Sequence, residues 1–205
     1  MSARGRFITL EGVDGAGKST HLQFIADAVA AASGRRAIAT REPGGTDLAE
    51  HLRRAILEEP MDAMAETLLI FAARAHHVRK VIRPALEAGS WVVCDRFLDA
   101  TYAYQGAGKG VPPDLIERLS AVAHPGLAPD RTLVFDCPYE VASKRLSASG
   151  KKLDRFESED RAFFERVRGT YLARAKAEPG RMRVIDATLP VAEIRKTLER
   201  SLGDL

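Results

Sequence analysis

Apolar and polar positions alternate between two periods along the chain. Short runs of continuous apolar residues predict strands at Phe7 to Leu10, Ala37 to Arg41, Trp91 to Asp95, Thr132 to Asp136 and Arg183 to Asp186. Between them, helical spacing appears. Leu22, Ile25, Ala26 and Val29 mark a helix that opens after Lys18 and closes near Ser33-Gly34, a C-cap signal. Leu48, Leu52 and Ile56 mark a second helix, ended by Pro60. Asp62 caps a third, which runs through Leu68, Leu69 and Phe71 to Val78, Val81 and Ile82, is kinked by Pro84 and stops at Gly89. Further helices are predicted from Asp114 to about His124, from Pro138 to Leu146, from Glu159 to Ala177 and from Val191 to Leu202. A polar, basic stretch from Ser147 to Arg155 is the one segment that reads as mobile. Strands that alternate with helices imply right-handed βαβ crossovers and a mostly parallel sheet covered on both faces.

The first strand and first helix are joined by Gly12-Val13-Asp14-Gly15-Ala16-Gly17-Lys18-Ser19, followed by Thr20. Glycine, four residues, then Gly-Lys-Ser/Thr is the spelling of a polyphosphate cradle. Glycines let backbone N–H groups approach the anion, the lysine reaches the outer phosphates, the serine hydroxyl serves their magnesium, and the helix N-terminus faces the same charge. A plain glycine turn is the competing reading, but the loop stands between a strand and a helix, as the motif requires. The fold expected is an α/β, P-loop-type three-layer sandwich: a five-stranded parallel sheet, helices on both faces and a short lid. Residues 1–205 read as a single domain, with the lid at about 147–157.

In such sheets, ligands sit beyond the carboxyl ends of the strands. Arg41 and Glu42, Asp95 and Arg96, and the glycine loop all end strands, so they are expected at one crevice. Asp95, at the end of an apolar strand, is a candidate magnesium residue alongside Ser19; a helix cap or a lone surface carboxylate is its other reading.

Composition narrows the class. Hydrophobic residues make up 45% and charged residues 29%, the balance of a globular domain, and the net charge of +3 is too small to argue for a nucleic-acid partner. Cys94 and Cys137 each lie in an apolar run, as small core residues of a reducing compartment do. No apolar stretch approaches about 18 residues and no signal core follows the N-terminus, so a cytoplasmic location without a membrane span is expected. The chain contains no asparagine, which removes the guanine-reading Asn-Lys-x-Asp of GTPases, and no Ser-Gly-Gly-Gln of transporter ATPases occurs. A small-molecule kinase is the simplest class left.

The segment Thr40-Arg41-Glu42-Pro43-Gly44-Gly45-Thr46 resembles a signature of thymidylate kinases of the bacterial kind. Ala72-Ala73-Arg74, Asp95-Arg96-Phe97, Ala103-Tyr104-Gln105-Gly106 and Leu153-Asp154-Arg155-Phe156-Glu157 follow in that family's order and spacing. The resemblance covers nearly the whole length. It implies phosphorylation of dTMP to dTDP by ATP with magnesium, in a homodimer formed through helices, the apolar helix from Leu68 to Ile82 being a candidate.

It also implies roles. Lys18, Asp95, Arg96, Arg145 and Arg155 would be catalytic. Arg96 would hold the dTMP phosphate with Arg53 nearby, and Arg74 would face the thymine. Asp14 would reach the sugar 3′-hydroxyl, Thr101 and Gln105 would hydrogen-bond the base, and Tyr104 would crowd the place of a ribose 2′-hydroxyl. Lys151 and Lys152 would act from the lid. Three departures stand out. Ile70 occupies the place where many relatives carry phenylalanine, with Phe71 one position later, so the residue that stacks on the base is either of the two. Ala100 replaces a serine. Gly15 stands where the eukaryotic type has an arginine, and Ser147 and Ser149 stand where lid arginines are common. For any one arginine or lid lysine the competing reading is a solvated face. A kinase for another nucleoside monophosphate or for a nucleoside, or a non-catalytic nucleotide switch, are the rival functions.

Overall fold

The computed structural model describes residues 4–150, 153–203 and 205. Its centre is a five-stranded sheet of β1 (Phe7–Glu11), β2 (Ala37–Arg41), β3 (Trp91–Asp95), β4 (Arg131–Asp136) and β5 (Met182–Asp186), in the order β2-β3-β1-β4-β5, every pair parallel. The expected α/β architecture is therefore present. The apolar runs are continuous because both faces are covered. Ile8 and Leu10 of β1 and Val93 of β3 enter one buried cluster, while Phe7, Val92 and Cys94 enter another on the opposite face.

Helices α1 (Lys18–Ser33), α8 (Arg161–Ala177) and α9 (Val191–Leu202) give Ile25, Val29, Val167, Tyr171, Ile194 and Leu198 to the first cluster. The long third helix is three pieces. α3 (Ala63–His77) passes into a π-helical turn, Val78–Ile82, and then into α4 (Arg83–Glu87). The irregularity lies just before Pro84, since a widened turn leaves room for a ring that would otherwise meet the carbonyl four residues back.

Two helices flank this segment: α2 (Asp47–Glu58), capped by the Thr46 hydroxyl at Ala49 N–H, and α6 (Pro113–Ala123). A helical segment that the periodicity did not show follows β3: α5 (Leu98–Thr101) continues as a π-helical stretch, Tyr102–Gly108. α7 (Tyr139–Ala148) leads into the basic stretch. The strand ends are level. Leu10 lies opposite Asp95, and Asp95 opposite Arg41, which brings the glycine loop, Glu42 and Arg96 together.

Candidate active site

The glycine loop leaves β1 and turns into α1 at Gly17, whose φ is +89°. The first turn of α1 carries no acidic residue and no side-chain cap, so its N–H groups and positive end are left for an anion. Gly15 has φ +78°, and a Cβ there would stand 2.5 Å from the Ala142 carbonyl oxygen of α7. Lys18 is 6% exposed and donates to the carbonyls of Gly12 and Val13, each at 2.9 Å. Burial and then Arg96 push its ammonium pKa below the usual lysine range.

Arg96 adopts φ +71°, the single non-glycine residue among those described in that region. The turn sends its guanidinium back over the loop. Nη1 donates to the Gly12 carbonyl at 3.0 Å, and Nη2 donates to Asp14 at 2.5 Å and to the Tyr104 hydroxyl at 2.9 Å. Tyr104 in turn donates to the other Asp14 oxygen at 2.7 Å. Burial alone would raise the Asp14 pKa, but Arg96 and Lys18 outweigh it and hold the carboxyl below its ordinary value.

Beneath these lies Glu11, fully buried, which accepts from Phe97 N–H at 2.8 Å and from the Tyr171 hydroxyl at 2.9 Å. Burial, with the Asp99 charge second, raises its pKa to about 7. Asp95 ends β3 with a buried Oδ1 that has no hydrogen-bond partner among the described residues.

Two cavities open here. One is lined by Ile70, Arg74, Phe97, Thr101, Tyr104, Gln105 and Phe156. The other contains the glycine loop, Ser19, Thr20, Asp95 and Arg145, and ends on Leu189, Val191 and Ile194. Asp14, Arg53 and Arg96 line both. The residues expected at one crevice therefore do converge.

Arg74 is buried in the wall of the first cavity. Its Nε donates to Glu42 at 2.6 Å, its Nη2 to the Phe97 carbonyl and the Thr101 hydroxyl at 3.0 Å each, and its Nη1 has no partner among the described residues. His77 Nδ1 donates to the second Glu42 oxygen at 2.9 Å, since a carboxylate only accepts. Burial works against the Glu42 charge, yet Arg74 and His77 outweigh it and lower its pKa.

Some expected residues stand elsewhere. Phe71 does not line the cavity; its ring packs with Val111 and Ile116 and lies parallel to His124, and Ile70 is the neighbour that faces the cavity. Arg155 lines neither cavity; its guanidinium donates to the carbonyls of Ile56 and Glu59 and to Glu66. Arg145 lines the second cavity while donating to the Ala187 carbonyl at 2.8 Å. Lys151 and Lys152 lie outside the described residues. Sequence reasoning missed Glu11, Glu66, His77 and Tyr171. A buried polar residue inside an apolar period is the only signal they leave.

Against known families, the thymidylate kinase model matches residues 10–198. The chain belongs to the thymidylate kinase family. It is 57% identical over 205 residues to a thymidylate kinase of Bordetella petrii, covering 100% of this chain and 98% of that protein. It is 53% identical over 203 residues to one of Cupriavidus necator, covering 98% and 100%. Among solved structures, thymidylate kinase from Ehrlichia chaffeensis superposes with a TM-score of 0.79 at 32% identity, covering 98% of this chain and 99% of that one. The thymidylate kinase fold thus accounts for nearly all of the chain.

Proposed function

We propose that the two cavities hold ATP and dTMP end to end, and that the γ-phosphoryl group passes between them where Asp14, Arg53 and Arg96 line both. As a thymidylate kinase, the chain converts dTMP to dTDP. The shared lining is the observation that carries the geometry of this reading.

The attacking group is a phosphate oxygen, already anionic, so it needs positioning and fixed positive charge rather than a strong base. Arg96 is fixed by Gly12, Tyr104 and Asp14 before any substrate arrives. Arg53 donates to the Pro43 carbonyl at 3.0 Å and stands at the same junction. Lys18, withdrawn against its own loop, is within reach of the donor phosphates. Asp14 accepts the sugar 3′-hydroxyl, and Tyr104 crowds C2′. Arg74 and Thr101 meet the base, with Ile70 rather than Phe71 in the cavity wall against it. Leu189, Val191 and Ile194 offer an apolar seat for the adenine.

Magnesium fits the residues present. The buried, partnerless Asp95 Oδ1 and the Ser19 hydroxyl share the second cavity, and magnesium takes oxygen donors from one or two protein groups together with phosphates. Bound there, it would neutralise charge on the donor phosphates. We read residues 147–157 as a lid of this one domain, with Lys151 and Lys152 as its cations and Arg145 just before it on α7; Arg155 anchors the lid rather than reaching the phosphoryl group. Closure excludes water as a competing acceptor. The exposed Leu48, Met64, Leu68 and Val122 on the adjacent helices α2, α3 and α6 suit a homodimer interface.

A coupled assay of ADP formation with ATP, magnesium and dTMP, dUMP, UMP or dCMP tests the acceptor. Preference for dTMP supports the reading. Preference for UMP, or turnover indifferent to the base, overturns it.

A further inference from the structure

Glu66 lies on the first turn of α3, fully buried and outside the cavity lining. Its Oε1 accepts from Gln105 Nε2 at 2.9 Å; its Oε2 accepts from Lys109 Nζ at 2.8 Å and Arg155 Nη2 at 2.9 Å. We infer that Glu66 sets the hydrogen-bonding polarity of the acceptor cavity by fixing which end of the Gln105 amide faces the base. This rests on the reading that the cavity takes a pyrimidine monophosphate.

A carboxylate has no hydrogen to give, so only the amide nitrogen of Gln105 can face Glu66. The amide oxygen is then left over. It has no hydrogen-bond partner among the described residues, and Gln105 lines the cavity. On the same lining stands Arg74, a donor with a partnerless Nη1. A donor and an acceptor on one lining match a pyrimidine that carries a carbonyl next to a ring N–H. Thymine and uracil have that edge. Cytosine reverses it, with an amino group beside a bare ring nitrogen, and meets donor with donor and acceptor with acceptor. A polar mismatch in a buried site discriminates more strongly than a change of apolar shape.

The cations make the arrangement directional. In Glu66→Gln, the new amide oxygen stays with Lys109 and Arg155, and the new amide nitrogen faces Gln105. Two amide nitrogens cannot bond, so Gln105 turns over and presents N–H to the cavity. Glu66 is thus a positioning residue that never touches the base.

The test is the ratio of kcat/KM for dTMP to that for dCMP, with ATP and magnesium. Glu66→Gln is expected to lower this ratio by about tenfold. The exchange variant, Glu66→Gln with Gln105→Glu, keeps the pair bonded, turns a carboxylate oxygen to the cavity and restores the ratio. Lys109→Met removes a Glu66 partner from the other oxygen and leaves the ratio as in the native chain. A merely structural Glu66 would lower activity on both substrates alike and would not be rescued by the exchange. An unchanged ratio in Glu66→Gln overturns the inference; should that variant fail to fold, an altered ratio in the folded exchange variant does so. Absence of dTMP turnover by the native chain would instead sink the proposed function.

Discussion

The Arg74 guanidinium meets the Glu42 carboxylate at 2.6 Å, Nε to Oε2, with each side chain 2% exposed. Glu42 directly follows β2, and Arg74 lies on α3. The pair therefore locks a strand end to the helix that walls the acceptor cavity. Glu42→Ala leaves a buried guanidinium without the one carboxylate it pairs with among the described residues and is expected to cost about 3–5 kcal/mol, read from denaturant midpoints. It should also raise KM for dTMP, since Arg74 loses its fixed orientation. Because the folded Glu42 pKa is lowered, its contribution is present above the ordinary carboxylate value of 4.5 and fades as pH drops through the lower folded value.

Lys18→Met should keep the fold, because the ammonium donates only to carbonyls of its own loop. Its kcat is expected to fall by about 10²–10³-fold or more, as for loss of one preorganised electrostatic donor. Circular dichroism together with single-turnover kinetics separates this from unfolding. Gly15→Ala acts differently: its Cβ would collide with the Ala142 carbonyl, so affinity for ATP and stability should fall together.

Glu11 runs opposite to Glu42 in pH. Its folded pKa is raised from 4.5 to about 7, chiefly by burial, so the folded chain binds more protons than the unfolded one between those values. Stability from this group is fully present below pH 4.5 and is lost as pH rises through 7, with a slope of up to about 1.4 kcal/mol per pH unit. Glu11→Gln should flatten that slope in urea titrations from pH 5 to 8. An unaltered slope would remove Glu11 as its cause.

Leu68 is 49% exposed on α3 and Val122 82% exposed on α6. If these helices form the homodimer face, Leu68→Glu should shift the chain to a monomer by light scattering while leaving its melting temperature at high concentration near that of a folded monomer.

The sheet was legible because both its faces are covered and its strands read as unbroken apolar runs. The glycine loop was legible because its chemistry demands those residue types at fixed spacing. The segment Leu98–Gly108 was not. Its helical turns carry Gly106 and Gly108 and bury Thr101, Tyr104 and Gln105, so no apolar stripe appears. The left-handed turn at Arg96 was invisible for another reason: long-range bonds to Gly12 and Asp14 hold it. The bond that holds Arg155 is not legible either, because Glu66, its partner, is a helix residue 89 positions away in sequence. Phe71 and Ile70 differ by one helical step, about 100°, and only packing decides which of them faces the cavity.

The central claim is that two nucleotides lie end to end in one crevice across Asp14, Arg53 and Arg96. It is tested most directly with a single molecule that joins adenosine to thymidine through five phosphates, titrated calorimetrically with magnesium. One molecule per chain should bind, and it should compete with both ATP and dTMP. Competition with ATP alone, with dTMP still binding at unchanged affinity, would contradict the account.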